Sequence, residues 1–385
     1  MTESSTGRSG YDGQPTRRAF LASMAGVGLA GITGLPRQRS TASTRPLPAP
    51  ALTNPQLAGQ RVISSYPGLT PPASLFNDIT AGTTAGVIFF GENISSDAQI
   101  ADVITQLRQA QAQSPIQVPL LLMTDQEGGL VRRLPGEPVL SEKQIGQSVD
   151  PVGAATTAGT GAGLNLASVG MNVNLAPVLD VYYKSGNFID QYQRSYSKDP
   201  NVVSACGQAF ITAQQATGVA ATAKHFPGLG SATRNQNTDS RPVTLNLSLT
   251  KLHTIDEVPY PAAVTAGVKL VMLSWAVYPA LDPILPAGLS ATIIGQELRG
   301  RNGFTGVTIT DALEAGALNG FGSTGQKAVT AAGAGMDLLL CSARDVTQAE
   351  AATSALATAL GNGQLDPTAF NAAVNRATAL RAGLF

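Results

Sequence analysis

Past residue 55, short β-branched runs alternate with longer alanine-rich stretches of helical spacing, and that alternation leaves few folds open to the chain. Eight such runs can be counted: Arg61–Ser65, Gly86–Phe90, Pro119–Thr124, Asn172–Ala176, Val219–Lys224, Lys269–Ser274, Gly306–Thr310 and Met336–Cys341. Several are apolar almost throughout, as strands covered on both faces must be, so the pattern predicts a parallel sheet wrapped by helices. Eight βα units over about 330 residues favour a closed (β/α)₈ TIM-type barrel. An open doubly wound sheet is the alternative, but no G-x-G-x-x-G follows the first strands, so dinucleotide binding lacks its fingerprint. The tail reads as two helices, Thr347–Leu360 and Pro367–Leu384, expected to pack on the outside of the barrel. Residues 55–385 thus form a single domain, with no room for a second catalytic one.

Composition supports a large core. Charged residues make up 13% of the 385, about half of the roughly 25% usual in soluble chains, while 43% are hydrophobic. Lys+Arg and Asp+Glu both number 25, so no basic field is available to attract nucleic acid. Cys206 and Cys341 fit no metal or haem spacing and read as buried free thiols. Residues 1–50 differ from the rest. Thr16-Arg17-Arg18-Ala19-Phe20-Leu21 leads into a glycine- and alanine-rich run to Leu35, resembling a twin-arginine export signal and linker. That run falls short of the ~20 strongly apolar residues of a spanning helix, so no stable membrane anchor is expected. The expected location is extracellular or in the cell envelope.

In a barrel, residues just past the C-terminal end of each strand face the active-site mouth. The third strand runs into Asp125-Gln126-Glu127-Gly128-Gly129, followed by Arg132-Arg133. The fourth leads to Asp180 and a loop carrying Arg194, the fifth ends in Lys224-His225-Phe226-Pro227-Gly228, and the seventh ends in Thr310-Asp311. Any one of these has an ordinary explanation: a helix cap for Asp125 or Asp311, a pair with Asp199 for Arg194. Their repeated placement at one end of successive strands points to chemistry instead.

These motifs resemble, in the same order, those of family 3 of the glycoside hydrolases, with Asn174–Asp180, Ser274 with Tyr278-Pro279, and Gly303–Asp311 adding to the match. The nearest type is the family's single-domain bacterial β-N-acetylglucosaminidases. The resemblance implies a carbohydrate substrate, β-linked N-acetylglucosamine of peptidoglycan or chitin fragments, with another β-glycoside such as a β-glucoside as runner-up. It implies that Asp311 is the nucleophile of a retaining mechanism and that Asp125, Arg133, Arg194, Lys224 and His225 hold the sugar hydroxyls. Lys224 and Arg194 are expected to keep Asp311 ionised. No cofactor is implied, and with two histidines in the chain no His-rich metal site can be built.

One departure stands out. The resembled subgroup carries a loop histidine as acid/base within Asp-Ser-His, whereas here Asp239-Ser240 is followed by Arg241, and Leu229 replaces a second histidine. Arginine, with a pKa above ~12, cannot cycle a proton at neutral pH. His253 reads as a surface helix residue. Two expectations follow: Asp239 itself serves as acid/base, or hydrolysis is weakened and the protein binds glycans without turning them over efficiently.

Overall fold

The computed structural model describes residues 52–384; the twin-arginine reading of residues 1–50 lies outside them. Eight parallel strands close into a barrel: Val62–Ser64, Gly86–Ile88, Leu121–Thr124, Val173–Asn174, Ala220–Phe226, Leu270–Leu273, Val307–Ala312 and Leu338–Leu340. Each pairs with its neighbours in chain order, and the eighth returns to the first with Val62 opposite Leu339 and Ile63 opposite Leu340. All eight expected runs therefore become barrel strands.

Alternation along each strand divides the core. Ile63, Leu121, Met123, Val173, Leu270, Met272, Val307, Ile309, Leu338 and Leu340 pack together in one cluster inside the barrel. Their neighbours Val87, Leu122, Val271 and Leu339 face outward against the helices. Cys206 and Cys341 are buried free thiols. Among the described residues no helix is long and apolar enough to cross a membrane.

The tail forms helices Val346–Gly361 and Pro367–Ala382, and only the first sits as expected on the outside, against the helices Asn54–Gly59 and Thr324–Ala334. The second lies across the N-terminal end of the barrel. Ala377 joins the interior cluster, Arg376 Nη2 reaches Asp337 Oδ1 at 2.7 Å, and Arg381 Nε donates to the Pro119 carbonyl at 2.7 Å. Buried Arg61 stacks over Phe370 of this helix at 4.3 Å. The physical reason is that strand ends leave carbonyls and Asp337 facing an otherwise open bottom, and arginines on an amphipathic helix satisfy them while its alanines cover the apolar plug.

Candidate active site

The third strand continues into a ribbon, Gln126–Gly128 paired with Val131–Arg132, that folds back over the C-terminal mouth. Gln126 serves the ribbon: its side-chain oxygen accepts from Arg133 N (3.1 Å) and Leu134 N (3.0 Å), while Nε2 donates to the Leu134 and Glu137 carbonyls. Asn174, at the end of the fourth strand, clamps both main-chain groups of Gln126. With Gln126 held there, Asp125 and Glu127 converge on Lys224.

Lys224 Nζ lies 2.8 Å from Asp125 Oδ1 and 2.7 Å from Glu127 Oε1, and Arg194 binds Glu127 through Nε and Nη2, both at 2.8 Å. Arg133 Nη2 lies 4.0 Å from the other Asp125 oxygen. Burial alone would raise the Glu127 carboxyl, but Arg194 and Lys224 outweigh it and hold the group at about 2. Burial alone would likewise lower Lys224, and Asp125 and Glu127 reverse that, so its ammonium stays charged. The cations are thus fixed as rigid, ionised donors.

Behind them, Asp180 is fully buried. It accepts from the main-chain N–H of His225 (3.3 Å) and of Leu229 (2.6 Å), and its second oxygen lies 2.7 Å from His225 Nδ1. A carboxylate facing Nδ1 keeps the proton there and directs Nε2 away from it.

The loop after the fifth strand is strapped down along its length. Gly228 (φ 149°) accepts a hydrogen bond from Tyr278 Oη at 2.9 Å, and a Cβ there would meet Asp256. The Gly230 carbonyl accepts from Tyr183 N and Asn187 Nδ2, and a Cβ at Gly230 would stand 1.8 Å from the Val181 carbonyl oxygen. Farther on, the carbonyls of Thr238 and Asp239 accept from Ala317 N (2.9 Å) and Gly316 N (2.7 Å), in the segment that follows Asp311. Asp239 is tied by its main chain to the loop that follows Asp311.

The outcome is one cavity of ≈ 380 Å³ at the C-terminal mouth, whose lining includes Asp125, Arg133, Arg194, Lys224, His225, Asp239 and Asp311. All seven residues singled out in the sequence therefore meet. Arg241 is exposed and does not line this cavity. Asp311 Oδ1 accepts from Ala312 N at 2.7 Å. Its carboxyl is raised above the ordinary range, first by burial and then by Asp239, against the lowering influence of His225 and Lys224. Lys224 acts on Asp311 in the expected direction, but burial outweighs it, and Arg194 is paired with Glu127.

Sequence reasoning passed over four contributors. Glu127 and Asp180 stood inside motifs already noticed, where two carboxylates beside two cations should have suggested pairing. Glu314, three residues past Asp311, lines the cavity and accepts from Ser342 Oγ (2.6 Å) and Gln348 Nε2 (3.0 Å). Arg344, after the eighth strand, lies over the Phe90 ring at 4.3 Å and also lines the cavity; nothing local in the sequence marked it. His253 is corrected as well. It is partly buried, with Nε2 2.8 Å from Glu297 Oε1, because the helix bearing Glu297 packs where solvent was expected.

Residues 58–380 match the family described as glycosyl hydrolase family 3 N terminal domain. An uncharacterized secreted glycosyl hydrolase of Arthroderma benhamiae is 48% identical, over 88% of this chain and 96% of the relative. Beta-hexosaminidase A of Pseudoalteromonas piscicida is 32% identical over 82% of this chain, which spans 56% of that protein. Among solved structures, a family 3 beta-N-acetylglucosaminidase from a Paenibacillus species superposes with a TM-score of 0.81 at 35% identity, covering 86% of this chain and 63% of its own. A beta-N-acetylhexosaminidase from Beutenbergia cavernae gives 0.76 at 31% identity, covering 86% and 99%.

Proposed function

The chain belongs to glycosyl hydrolase family 3 and is a glycoside hydrolase, and we propose that it removes terminal β-linked N-acetylglucosamine with retention of configuration, through a glycosyl-Asp311 intermediate. The observation that carries this reading is the meeting of Asp311 and Asp239 in one cavity with five polar residues able to grip sugar hydroxyls. The relatives named as hexosaminidases and N-acetylglucosaminidases support the choice of sugar.

In the proposed first step Asp311 attacks the anomeric carbon. The bond to the leaving oxygen breaks, and the Asp239 carboxyl gives its proton to that oxygen. In the second step the Asp239 carboxylate takes a proton from water, the water oxygen attacks the anomeric carbon, and the bond to Asp311 breaks. Asp239 is exposed in the free protein, and a bound sugar that covers it would exclude water from the proton transfer. Asp125, Arg133, Arg194, Lys224 and His225 hold the sugar, and the ionised Asp125–Lys224–Glu127–Arg194 chain supplies strong, fixed hydrogen bonds.

Leu229, buried and lining the cavity where the resembled subgroup has a histidine, favours the second reading, a weakened hydrolase that mainly binds glycans. Leaving groups separate the two. Asp239→Ala should cripple turnover of unactivated disaccharides by about 10²–10⁴-fold yet spare the glycosylation burst on dinitrophenyl N-acetylglucosaminide. Full disaccharide turnover in that variant would reject Asp239 as the acid. A wild-type protein that turns over neither substrate but binds the sugar in calorimetry would establish the binder. A panel of nitrophenyl β-glycosides tests the sugar, with preference for a β-glucoside overturning the assignment. The twin-arginine export of residues 1–50 remains part of the proposal, supported by the secreted relative, and would be rejected by a protein retained in the cytoplasm.

A further inference from the structure

Away from the cavity, two π-helical segments, Leu252–Asp256 and Thr292–Arg301, bring His253, Glu257 and Glu297 together on the outer ring of the barrel. π-helical turns recur at functional sites, and none of these three residues lines the catalytic cavity. One ligand atom of each lies within 4.8 Å of the others. Glu257 is 1% exposed and Glu297 9% exposed.

The bonding of this cluster is incomplete. Glu257 Oε2 accepts from Asn302 Nδ2 at 3.0 Å and Arg301 Nη1 at 3.3 Å, while its Oε1 is buried with no hydrogen-bond partner. Glu297 Oε1 has Arg301 Nε at 3.5 Å and His253 Nε2 at 2.8 Å, yet both it and His253 Nε2 are also buried without a hydrogen bond. The ring nitrogen and the carboxylate oxygen are close but are not aligned as donor and acceptor. Buried groups of this kind ordinarily find partners. Two atoms that approach without pointing at one another can instead point at a shared third position. Ligands about 2.0–2.1 Å from a tetrahedral zinc ion stand about 3.3 Å apart, so the His253 and Glu297 atoms need part by only about 0.5 Å to admit one.

We infer that His253, Glu257 and Glu297 form a divalent transition-metal site, distinct from the catalytic centre, that staples the two π-helical segments together. One imidazole nitrogen and two carboxylates suit zinc or manganese. Arg301, with a side chain 41% exposed, sits at the edge as a counter-charge. The partly open side of His253, 23% exposed, offers the entry path.

The test uses the full chain, stripped with a chelator and titrated with zinc ion in a calorimeter. One equivalent should bind with a micromolar or tighter Kd and raise Tm. His253→Gln and Glu297→Gln should each weaken this binding at least tenfold, while Asp311→Asn, which alters the catalytic cavity, leaves it unchanged. Basal hydrolysis by the two cluster variants should match wild type. A variant-free measurement keeps the inference exposed if those proteins unfold: zinc should protect His253 from carbethoxylation, read by peptide mass spectrometry, with His225 as the chain's other histidine. No binding at 100 µM zinc, tight binding that persists in both cluster variants, or zinc that leaves His253 fully reactive would each overturn the site.

Discussion

Glu127→Gln removes the carboxylate shared by Lys224 and Arg194 while keeping its shape. The native group is held at about 2 against an ordinary 4.5, with burial opposed by the two cations. At about 1.4 kcal/mol per pKa unit this corresponds to about 3 kcal/mol at neutral pH. Glu127 is 1% exposed, so solvent screening removes little of it. The amide of glutamine also turns a donor toward two cationic donors, which sets about 3 kcal/mol as the lower end of the 3–5 expected for breaking a buried pair. For about 330 folded residues an unfolding entropy of about 0.7 kcal/mol/K converts this into a Tm lower by about 4–5 °C. Because the folded pKa is depressed, the contribution is fully present above 4.5 and is lost as pH falls through about 2. Urea unfolding, followed through the chain's one tryptophan, Trp275, reports the variant and the wild type. The difference should be about 3 kcal/mol at pH 7 and about 1 kcal/mol at pH 3. A difference below about 1 kcal/mol at pH 7, or one that does not shrink in acid, refutes the account of Glu127 as the shared anchor.

Asp311→Asn should abolish glycosidase activity with the fold intact, since an amide fills nearly the same space but cannot form the covalent intermediate; activity near wild type rejects the nucleophile. Because burial raises the Asp311 carboxyl and attack requires its ionised form, the acid limb of kcat/KM should lie above the ordinary 3.8, and a limb at or below that value contradicts the geometry. Asp256, raised by burial to about 7, accepts a 2.6 Å hydrogen bond from Tyr183 Oη beneath the 228–241 loop. Its neutral form contributes stability that is lost as pH rises from near 4 through about 7, so Asp256→Asn should be more stable than wild type by about 2–4 kcal/mol at pH 8, with the gap closing at pH 4. Urea midpoints of the pair at the two pH values check it.

Much of the chain was legible before folding was considered. Parallel strands buried on both faces need nearly continuous apolar runs, so Val307-Thr308-Ile309 and Leu338-Leu339-Leu340 declare themselves in one dimension. The strand-end positions of Asp125, Lys224 and Asp311 follow from the same periodicity, because each lies in or just past the last residues of its strand. Partnership is another matter. Lys224 meets Asp125 across 99 residues, and Arg194 meets Glu127 across 67, only because barrel closure sets those strand ends side by side. Thr238 and Asp239 are held at Asp311's cavity by main-chain bonds from Ala317 and Gly316 that no spacing rule anticipates. The same holds for the last helix at the barrel's bottom and for His253 against Glu297. Local patterns record what each segment buries, but a charge's partner and its pKa depend on distances between segments, and those exist only once the barrel has closed.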